Sequence, residues 1–384
     1  MKKDNLEVSS ILVSRLFYSV MWFNISPALI AISKTFDVNF SLMGIALALF
    51  LVGAGIFQIP AGIISARIGA RNTAMIGLYV MVGGSLLSWV SPDFAVFLSS
   101  RFITGIGAAF FFSTAIAILG GISPGKTASL IGYYNASYNL GATAGIIAFS
   151  PVVVYLGWRD DFLISALLLL AATLFMQYEV KPRGIKFHMD GAAIRERLLS
   201  PYIWIIGIGF LGLWAMNYSV PEYFKSFAET VGIGTGTASV LGGIIPLSGI
   251  AGGLLVPFFR RGRVIIKAGI FSGIAGIVII MLPFSPHLSY WFILIFVGLA
   301  ATLVISLEYA VVASFEKENE YLALSVGVIN SIQIGLGSLI AAIAGLLDGY
   351  AFMWTWIFLG IFAIATIPVL TAKGIAHTRQ ISPS

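Results

Sequence analysis

The chain has 384 residues, of which 59% are hydrophobic and 10% are charged, and its mean hydropathy is +0.98. A soluble domain carries roughly 25% charged residues, so this composition excludes a water-soluble globular protein and indicates a surface that faces lipid. The absence of cysteine excludes disulfides and cysteine-ligated metals.

Apolar stretches predict twelve membrane-spanning helices, each near the roughly 20 residues that a bilayer requires. They lie near residues 8–32, 41–65, 73–90, 94–119, 127–150, 161–178, 201–220, 236–258, 264–283, 288–313, 321–346 and 350–372. The first run is too long for the apolar part of a signal peptide, so we expect a retained helix.

The long polar stretch at residues 179–200 separates six predicted helices from six. We therefore predict an N-terminal bundle (1–180), a cytoplasmic linker (181–200) and a C-terminal bundle (201–384).

Short patterns recur at a nearly constant offset. The Gly-x-x-Asn pattern that ends at Asn135 returns at Asn330, 195 positions later, and Asn-x-Ser at Asn24 returns at Asn217, 193 positions later. Such duplications in apolar chains are typical of transporters. The predicted fold is therefore all-α, with twelve transmembrane helices in two six-helix bundles related by pseudo-two-fold symmetry.

Basic residues mark one side of the predicted membrane. With both termini in the cytoplasm, 17 of the 22 lysines and arginines fall on that side, whereas Lys34, Arg159 and Lys225 fall in external loops. This is the positive-inside bias of membrane proteins, so the net charge of +6 reflects topology and not nucleic-acid binding. We predict a multi-pass protein of the plasma membrane with both termini in the cytoplasm.

The charged side chains that lie well inside predicted spans are Arg15, Arg101 and Glu308. A buried charge is costly in a bilayer unless it has a partner or faces water, so each is a candidate functional residue. Two basic side chains and one acidic side chain leave an excess of positive charge, which favours an anionic substrate. Arg15 shares a helical face with Tyr18 and Trp22, either as a substrate anchor or with its guanidinium extended to the cytoplasmic headgroups.

Glu308 is the acid of this group. A carboxyl out of water favours its neutral form, which makes Glu308 a candidate for proton coupling. Alternatively, its helix leaves the membrane before residue 308, and Glu308 is exposed to water.

Polar side chains also form stripes on several spans. They line a predicted substrate cavity or form hydrogen bonds between helices. The candidates for substrate binding, besides Arg15, Tyr18, Trp22 and Arg101, are Asn24, Asn135, Tyr138, Asn139, Asn217, Asn330 and Gln333.

Between the second and third spans, residues 62–71 read GIISARIGAR, and a helix-four segment reads RFITGIG from Arg101. The first resembles the cytoplasmic loop signature of the major facilitator superfamily, Gly-x-x-x-Asp-Arg-x-Gly-Arg-Arg, and implies a conformational role for Gly62, Arg67, Gly69 and Arg71. The second is similar to the family's Arg-x-x-x-Gly-x-Gly pattern, which implies a proton-coupling or substrate role for Arg101; its alternative role is packing.

In this chain Ala66 occupies the position of the signature's aspartate. In the family that aspartate helps to clamp the two halves. Its loss predicts a weaker clamp, or one in which Arg67 and Arg71 bond other partners such as helix-terminal carbonyls.

We expect a secondary active transporter, a proton-coupled symporter of a small organic anion, that works by alternating access as a monomer. The partners expected are the substrate, protons and lipid. The alternative is a drug or metabolite:proton efflux antiporter, although helix five lacks that group's Gly-Pro motif; a non-transporting sensor is more remote. No catalytic, metal or ATP-binding pattern occurs, so we expect neither an enzyme nor a cofactor.

Overall fold

The computed structural model describes residues 2–39, 42–182, 191–316, 319–348 and 352–371. The regular structure of this part is helical. The first nine α helices are α1 (Lys2–Phe23), α2 (Ile25–Thr35), α3 (Met43–Ile56), α4 (Gln58–Ile68), α5 (Ala70–Val90), α6 (Phe94–Ile122), α7 (Thr127–Ile147), α8 (Phe149–Tyr155) and α9 (Trp158–Glu179). The others are α10 (Gly191–Leu198), α11 (Pro201–Gly209), α12 (Leu211–Thr230), α13 (Thr235–Phe259), α14 (Val264–Met281), α15 (His287–Phe315), α16 (Asn319–Asp348) and α17 (Phe352–Ala365).

Among the described residues, eleven helical stretches are long and apolar enough to cross a membrane. A twelfth is obtained if α3 and α4, which meet at a bend of 41°, form one span. This count agrees with the twelve predicted helices. The structure also has a short helix, α10, within the stretch predicted to be a polar linker.

Several spans predicted as single helices are broken, and proline explains three of the breaks. Pro27, Pro60 and Pro151 each follow a break by three residues, and each preceding helix ends four residues before its proline. A proline ring clashes with the carbonyl four residues before it and cannot donate a hydrogen bond to that carbonyl. The next helix therefore restarts with the proline in its first turn, where no backbone donor is required.

The chain forms two compact units. Unit 1 comprises Met1–Pro124, Ser137–Leu198 and Glu318–Gly327, and unit 2 comprises Gly125–Ala136, Leu199–Lys317 and Val328–Ser384. Both α7 and α16 are thus shared between the units. The boundary that we predicted at residues 181–200 stays a prediction.

Within each unit, glycine allows a pair of helices to approach closely. In unit 1 a Cβ on Gly105 of α6 would overlap the carbonyl oxygen of Phe50 on α3. In unit 2 a Cβ on Gly298 of α15 would overlap the carbonyl oxygen of Ile245 on α13. By their order in the chain, these are the second and fourth spans of the two repeats, so the duplicated sequence is packed by the same device in both units.

Candidate functional site

Unit 1 contains a buried cation surrounded by aromatic rings. The Arg15 side chain on α1 is 1% exposed. Its Cζ lies 4.5 Å from the ring centroid of Tyr18, 4.2 Å from that of Phe112 and 4.5 Å from that of Tyr138. The Trp22 ring is 5.8 Å from the Tyr18 ring. These five residues are called the Arg15 aromatic cluster below.

The rings explain how a guanidinium can be buried there. Each ring face attracts a desolvated cation by about 2 kcal/mol, which offsets part of the cost of removing it from water. The guanidinium is enclosed, so the alternative in which it extends to the headgroups is wrong. The sequence placed Arg15, Tyr18 and Trp22 on one face of a helix, and the structure adds Tyr138 from α7 and Phe112 from α6. Phe112 was not among the predicted site residues.

Unit 2 contains a buried polar network centred on α15. Asn135 Nδ2 donates to Ser306 Oγ at 2.9 Å, and the Tyr309 hydroxyl donates to Asn330 Oδ1. Gln333 Nε2 donates to Glu308 Oε1 at 2.7 Å and also approaches a backbone carbonyl of α11 at 3.3 Å. The side chains of this network are all buried. The α15 polar cluster consists of Asn135, Ser306, Glu308, Tyr309, Asn330 and Gln333.

Glu308 is the acid of this cluster. It is 1% exposed, and α15 continues for seven residues beyond it to Phe315, so the alternative of a wet helix end is wrong. Its Oε2 has no hydrogen-bond partner in the described part of the chain. A neutral carboxyl has an O–H to donate, whereas an ionised one has only acceptors. A change of protonation would therefore alter the hydrogen bonding of this oxygen.

The remaining predicted amides are Asn24, Asn139 and Asn217. Asn24 lies at the break between α1 and α2 and donates to Ser165 Oγ of α9 at 2.9 Å, in the interior of unit 1. Asn139 is also buried. Asn217 is half-buried on α12, flanked by Trp214 and Tyr218, whose rings stack at 5.8 Å. The structure thus gives Asn24 a packing contact, in line with the interhelical alternative.

Arg101 on α6 is buried against two phenylalanines. Its Cζ is 4.8 Å from the Phe50 ring centroid and 5.8 Å from that of Phe162. Beside Phe162 lies Asp161, which is 0% exposed within α9. Our statement that Arg15, Arg101 and Glu308 are the intramembrane charges is therefore incomplete. We began this span at residue 161, whereas the helix starts at Trp158, after a Gly157 with a φ of +96° that marks the turn.

The loop that resembles the family signature contacts its own unit. Arg71 donates through Nε to the carbonyl of Val180 and through a terminal nitrogen to the carbonyl of Gln177, at the end of α9. Gly69 joins α4 to α5 with a φ of +88°, which favours glycine. Gly62 packs against the Cα of Leu324 on α16 at a distance that leaves no room for a Cβ.

Arg67, the other basic residue of the loop, is exposed. Arg71 thus caps the C-terminus of a helix, where a cation is favoured by the helix dipole.

Comparison with known proteins identifies one family. The family model described as Major Facilitator Superfamily matches residues 11–333. Multidrug efflux protein YfmO of Bacillus subtilis is 29% identical over 154 residues, which are 40% of this chain and 39% of that protein. Probable anion transporter 6, chloroplastic, of Arabidopsis thaliana is 25% identical over 59% of this chain and 48% of that protein. The galactose-proton symporter of Escherichia coli (strain K12) is 26% identical over 40% of this chain and 34% of its own length. The matches thus span between a third and a half of these relatives.

Solved structures share the fold over nearly the whole chain. The transporter FucP in the outward conformation matches with a TM-score of 0.78 at 14% identity, covering 98% of this chain and 99% of FucP. The human organic anion transporter MFSD10 matches with a TM-score of 0.77 at 15% identity, covering 96% and 99% of the two chains. These likenesses confirm the predicted fold class of twelve transmembrane helices in two six-helix bundles.

Proposed function

The chain belongs to the major facilitator superfamily of membrane transporters, and from this we propose that it carries a small organic anion together with protons by alternating access. The superfamily includes relatives named for multidrug efflux, anion transport and galactose-proton symport, so the substrate class has to be argued from this chain's own residues.

The observation that carries the proposal of an anionic substrate is the Arg15 aromatic cluster. Arginine pairs with carboxylates through two parallel hydrogen bonds, and the surrounding rings offer apolar contact to the body of an organic acid. Tyr138 is partly exposed, so one wall of the cluster lies at a surface of unit 1. A carboxylate that approached along this wall would replace ring contacts of Arg15 by a charge-assisted pair.

Proton coupling is assigned to Glu308 in the α15 polar cluster. Gln333 holds one carboxyl oxygen in place, and the second oxygen is left for the proton. The buried amides Asn135 and Asn330 keep the surrounding residues of α15 oriented through Ser306 and Tyr309. In this proposal Arg15 binds the anion and Glu308 binds the proton, with Arg101 as a further candidate for coupling. We also propose a monomer in the plasma membrane, with both termini in the cytoplasm, on the basis of the distribution of basic residues.

Uptake into proteoliposomes tests the proposal. Purified protein is reconstituted, an inward proton gradient is imposed, and accumulation of radiolabelled lactate, succinate and benzoate is compared with that of galactose. We expect at least one anion to accumulate only when the gradient is present, and galactose not to accumulate. Accumulation of galactose but of none of the anions would refute the anion assignment. Equal uptake of an anion with and without the gradient would refute proton coupling.

The alternative function is a drug or metabolite:proton efflux antiporter, and the relatives named for multidrug efflux favour it. Under the same inward proton gradient, an antiporter would expel preloaded ethidium from the liposomes as protons enter. Gradient-driven movement of ethidium without movement of the anions would select this alternative. A protein that binds a probe, as judged by a raised melting temperature, but exchanges none of them in counterflow would be a sensor.

A further inference from the structure

Unit 1 contains a second buried acid that the proposed function does not use. Asp161 lies in the first turn of α9 and has no exposed surface. Neither of its carboxyl oxygens has a hydrogen-bond partner in the described part of the chain. Glu308, by comparison, receives one hydrogen bond from Gln333. A buried carboxylate without donors is poorly stabilised in its ionised form, so Asp161 needs either a nearby cation or a proton.

The nearby cation is Arg101. It attracts Asp161 electrostatically from α6, and its Cζ lies 5.8 Å from the ring of Phe162, the next residue after Asp161. On its other side, Arg101 is covered by Phe50 of α3 at 4.8 Å. Arg101 and Asp161 are thus both buried, and the low polarity of their surroundings strengthens the attraction between the two opposite charges.

Other charged and titratable groups around α9 are directed elsewhere. Arg159 of the same turn donates to the carbonyls of Trp89 and Ser91, and Asp160 is half-buried. Arg15 of α1 is enclosed by its own aromatic cluster. Tyr18 of α1 belongs to the Arg15 aromatic cluster. The other titratable side chains on elements packed against α9, as far as the structure describes them, lie on α1, α2, α5 and α8: Asp4, Glu7, Lys34, Arg71, Tyr79 and Tyr155. Arg71 and Tyr79 contact the last turn of α9, far from Asp161, and Lys34 and Tyr155 are exposed.

We propose that Asp161 is a second proton-binding residue of this transporter and that its ionised form is held by Arg101. When a proton from water forms an O–H bond with the carboxylate, the charge of Asp161 is removed and its attraction for Arg101 disappears. When the O–H bond breaks, the proton returns to water and the electrostatic attraction between Asp161 and Arg101 is restored. The N-terminus of α9 is on the side that we propose to face outward, so the proton would be exchanged with the external solution.

The consequence for transport rests on the proposed function, but proton binding itself can be measured without any substrate. Infrared difference spectra between acidic and alkaline buffers detect the C=O stretch of a protonated carboxyl in the protein reconstituted in lipid. The wild type is compared with Asp161→Asn, with Glu308→Gln, and with Asp160→Asn as a matched control on the same helical turn. We expect Asp161→Asn to lose one buried-carboxyl band that both other variants retain. A difference spectrum that is unchanged by Asp161→Asn would overturn the proposal and leave the pair a structural contact.

Two further variants keep the test decisive if Asp161→Asn folds poorly with an unpaired Arg101. The double variant Arg101→Gln/Asp161→Asn removes both charges, and its spectrum should also lack the band. Arg101→Gln alone should shift the frequency of the band, because the carboxyl loses its charged neighbour. A band that does not move would exclude Arg101 as the partner. Absence of transport by the wild type would refute the proposed function and leave these spectral outcomes unaffected.

Discussion

Replacing Glu308 by glutamine separates proton binding from packing. Glutamine has nearly the same size and keeps an oxygen that can accept the 2.7 Å hydrogen bond from Gln333. It cannot be ionised, so it removes the proposed proton site while the α15 polar cluster remains bonded. Its amide N–H groups would take the place of Oε2, which has no partner in the described residues, as the O–H of a protonated carboxyl would. We therefore expect the free energy of unfolding to change by less than about 1 kcal/mol relative to the protonated form.

Glu308→Leu provides the contrasting case. It leaves Gln333 Nε2 with only the backbone carbonyl of Gly207 at 3.3 Å. A buried donor that loses its main acceptor costs about 1–3 kcal/mol, so this variant should melt at a lower temperature than Glu308→Gln. Thermal unfolding followed by tryptophan fluorescence in detergent measures the difference.

The effect on transport can be estimated from the proton gradient. Symport of one proton with a monovalent anion is electroneutral, so a gradient of one pH unit, equivalent to about 1.4 kcal/mol, can sustain roughly tenfold accumulation. For Glu308→Gln we expect accumulation to fall to about the external concentration, with counterflow of the same anion retained. Glu316→Gln, at the end of α15, is the matched control and should accumulate as the wild type does. Tenfold accumulation by Glu308→Gln would refute the assignment of proton coupling to this residue.

Three further variants test the other parts of the structure. Arg15→Lys keeps the charge but loses the planar group that stacks on rings and pairs with a carboxylate. Anion uptake measured at concentrations below KM should therefore fall at least tenfold, while Arg159→Lys should transport normally. Gly84→Ala places a Cβ 2.9 Å from a backbone nitrogen of α6 and should destabilise unit 1 by about 1–3 kcal/mol in thermal unfolding, whereas Gly83→Ala meets no atom within 4 Å and should not. Arg71→Met loses two hydrogen bonds to the end of α9 and should cost about 1 kcal/mol in the same assay; the exposed Arg67→Met should leave the melting temperature unchanged.

The number and position of the spans were predictable because apolar length is a direct requirement of the bilayer. The breaks inside the spans were not predicted, although the sequence carries their cause in Pro27, Pro60 and Pro151. Hydropathy is insensitive to a proline in an apolar run, and the prolines of α12 and α13 leave their helices continuous. Whether a proline bends or breaks a helix depends on the neighbours that satisfy the freed carbonyl, which one sequence does not specify.

Site residues were predictable within one helix and much less so between helices. Helical spacing placed Arg15, Tyr18 and Trp22 on one face, and the structure keeps them together. Which faces of other helices meet that stripe depends on packing, so Phe112 was missed. Asp161 was missed for a simpler reason, since an error of three residues at the start of a helix made it the first residue of the predicted span instead of a residue within the helix.

The cation and the acid proposed for transport lie in different units. Arg15 is covered by Phe112 in unit 1, whereas Glu308 is bonded to Gln333 in unit 2. The two ends of α6 and α15 match at an offset of 193 residues, as do Gly105 and Gly298, and this offset places Ser113 and Ala115 opposite Ser306 and Glu308. The serine is thus present in both copies, whereas the acid of the second copy has only a small apolar residue as its counterpart in the first. Because the anion and the proton are assigned to residues of different units, we expect Arg15→Lys to weaken binding without removing the response to pH, and Glu308→Gln to do the reverse.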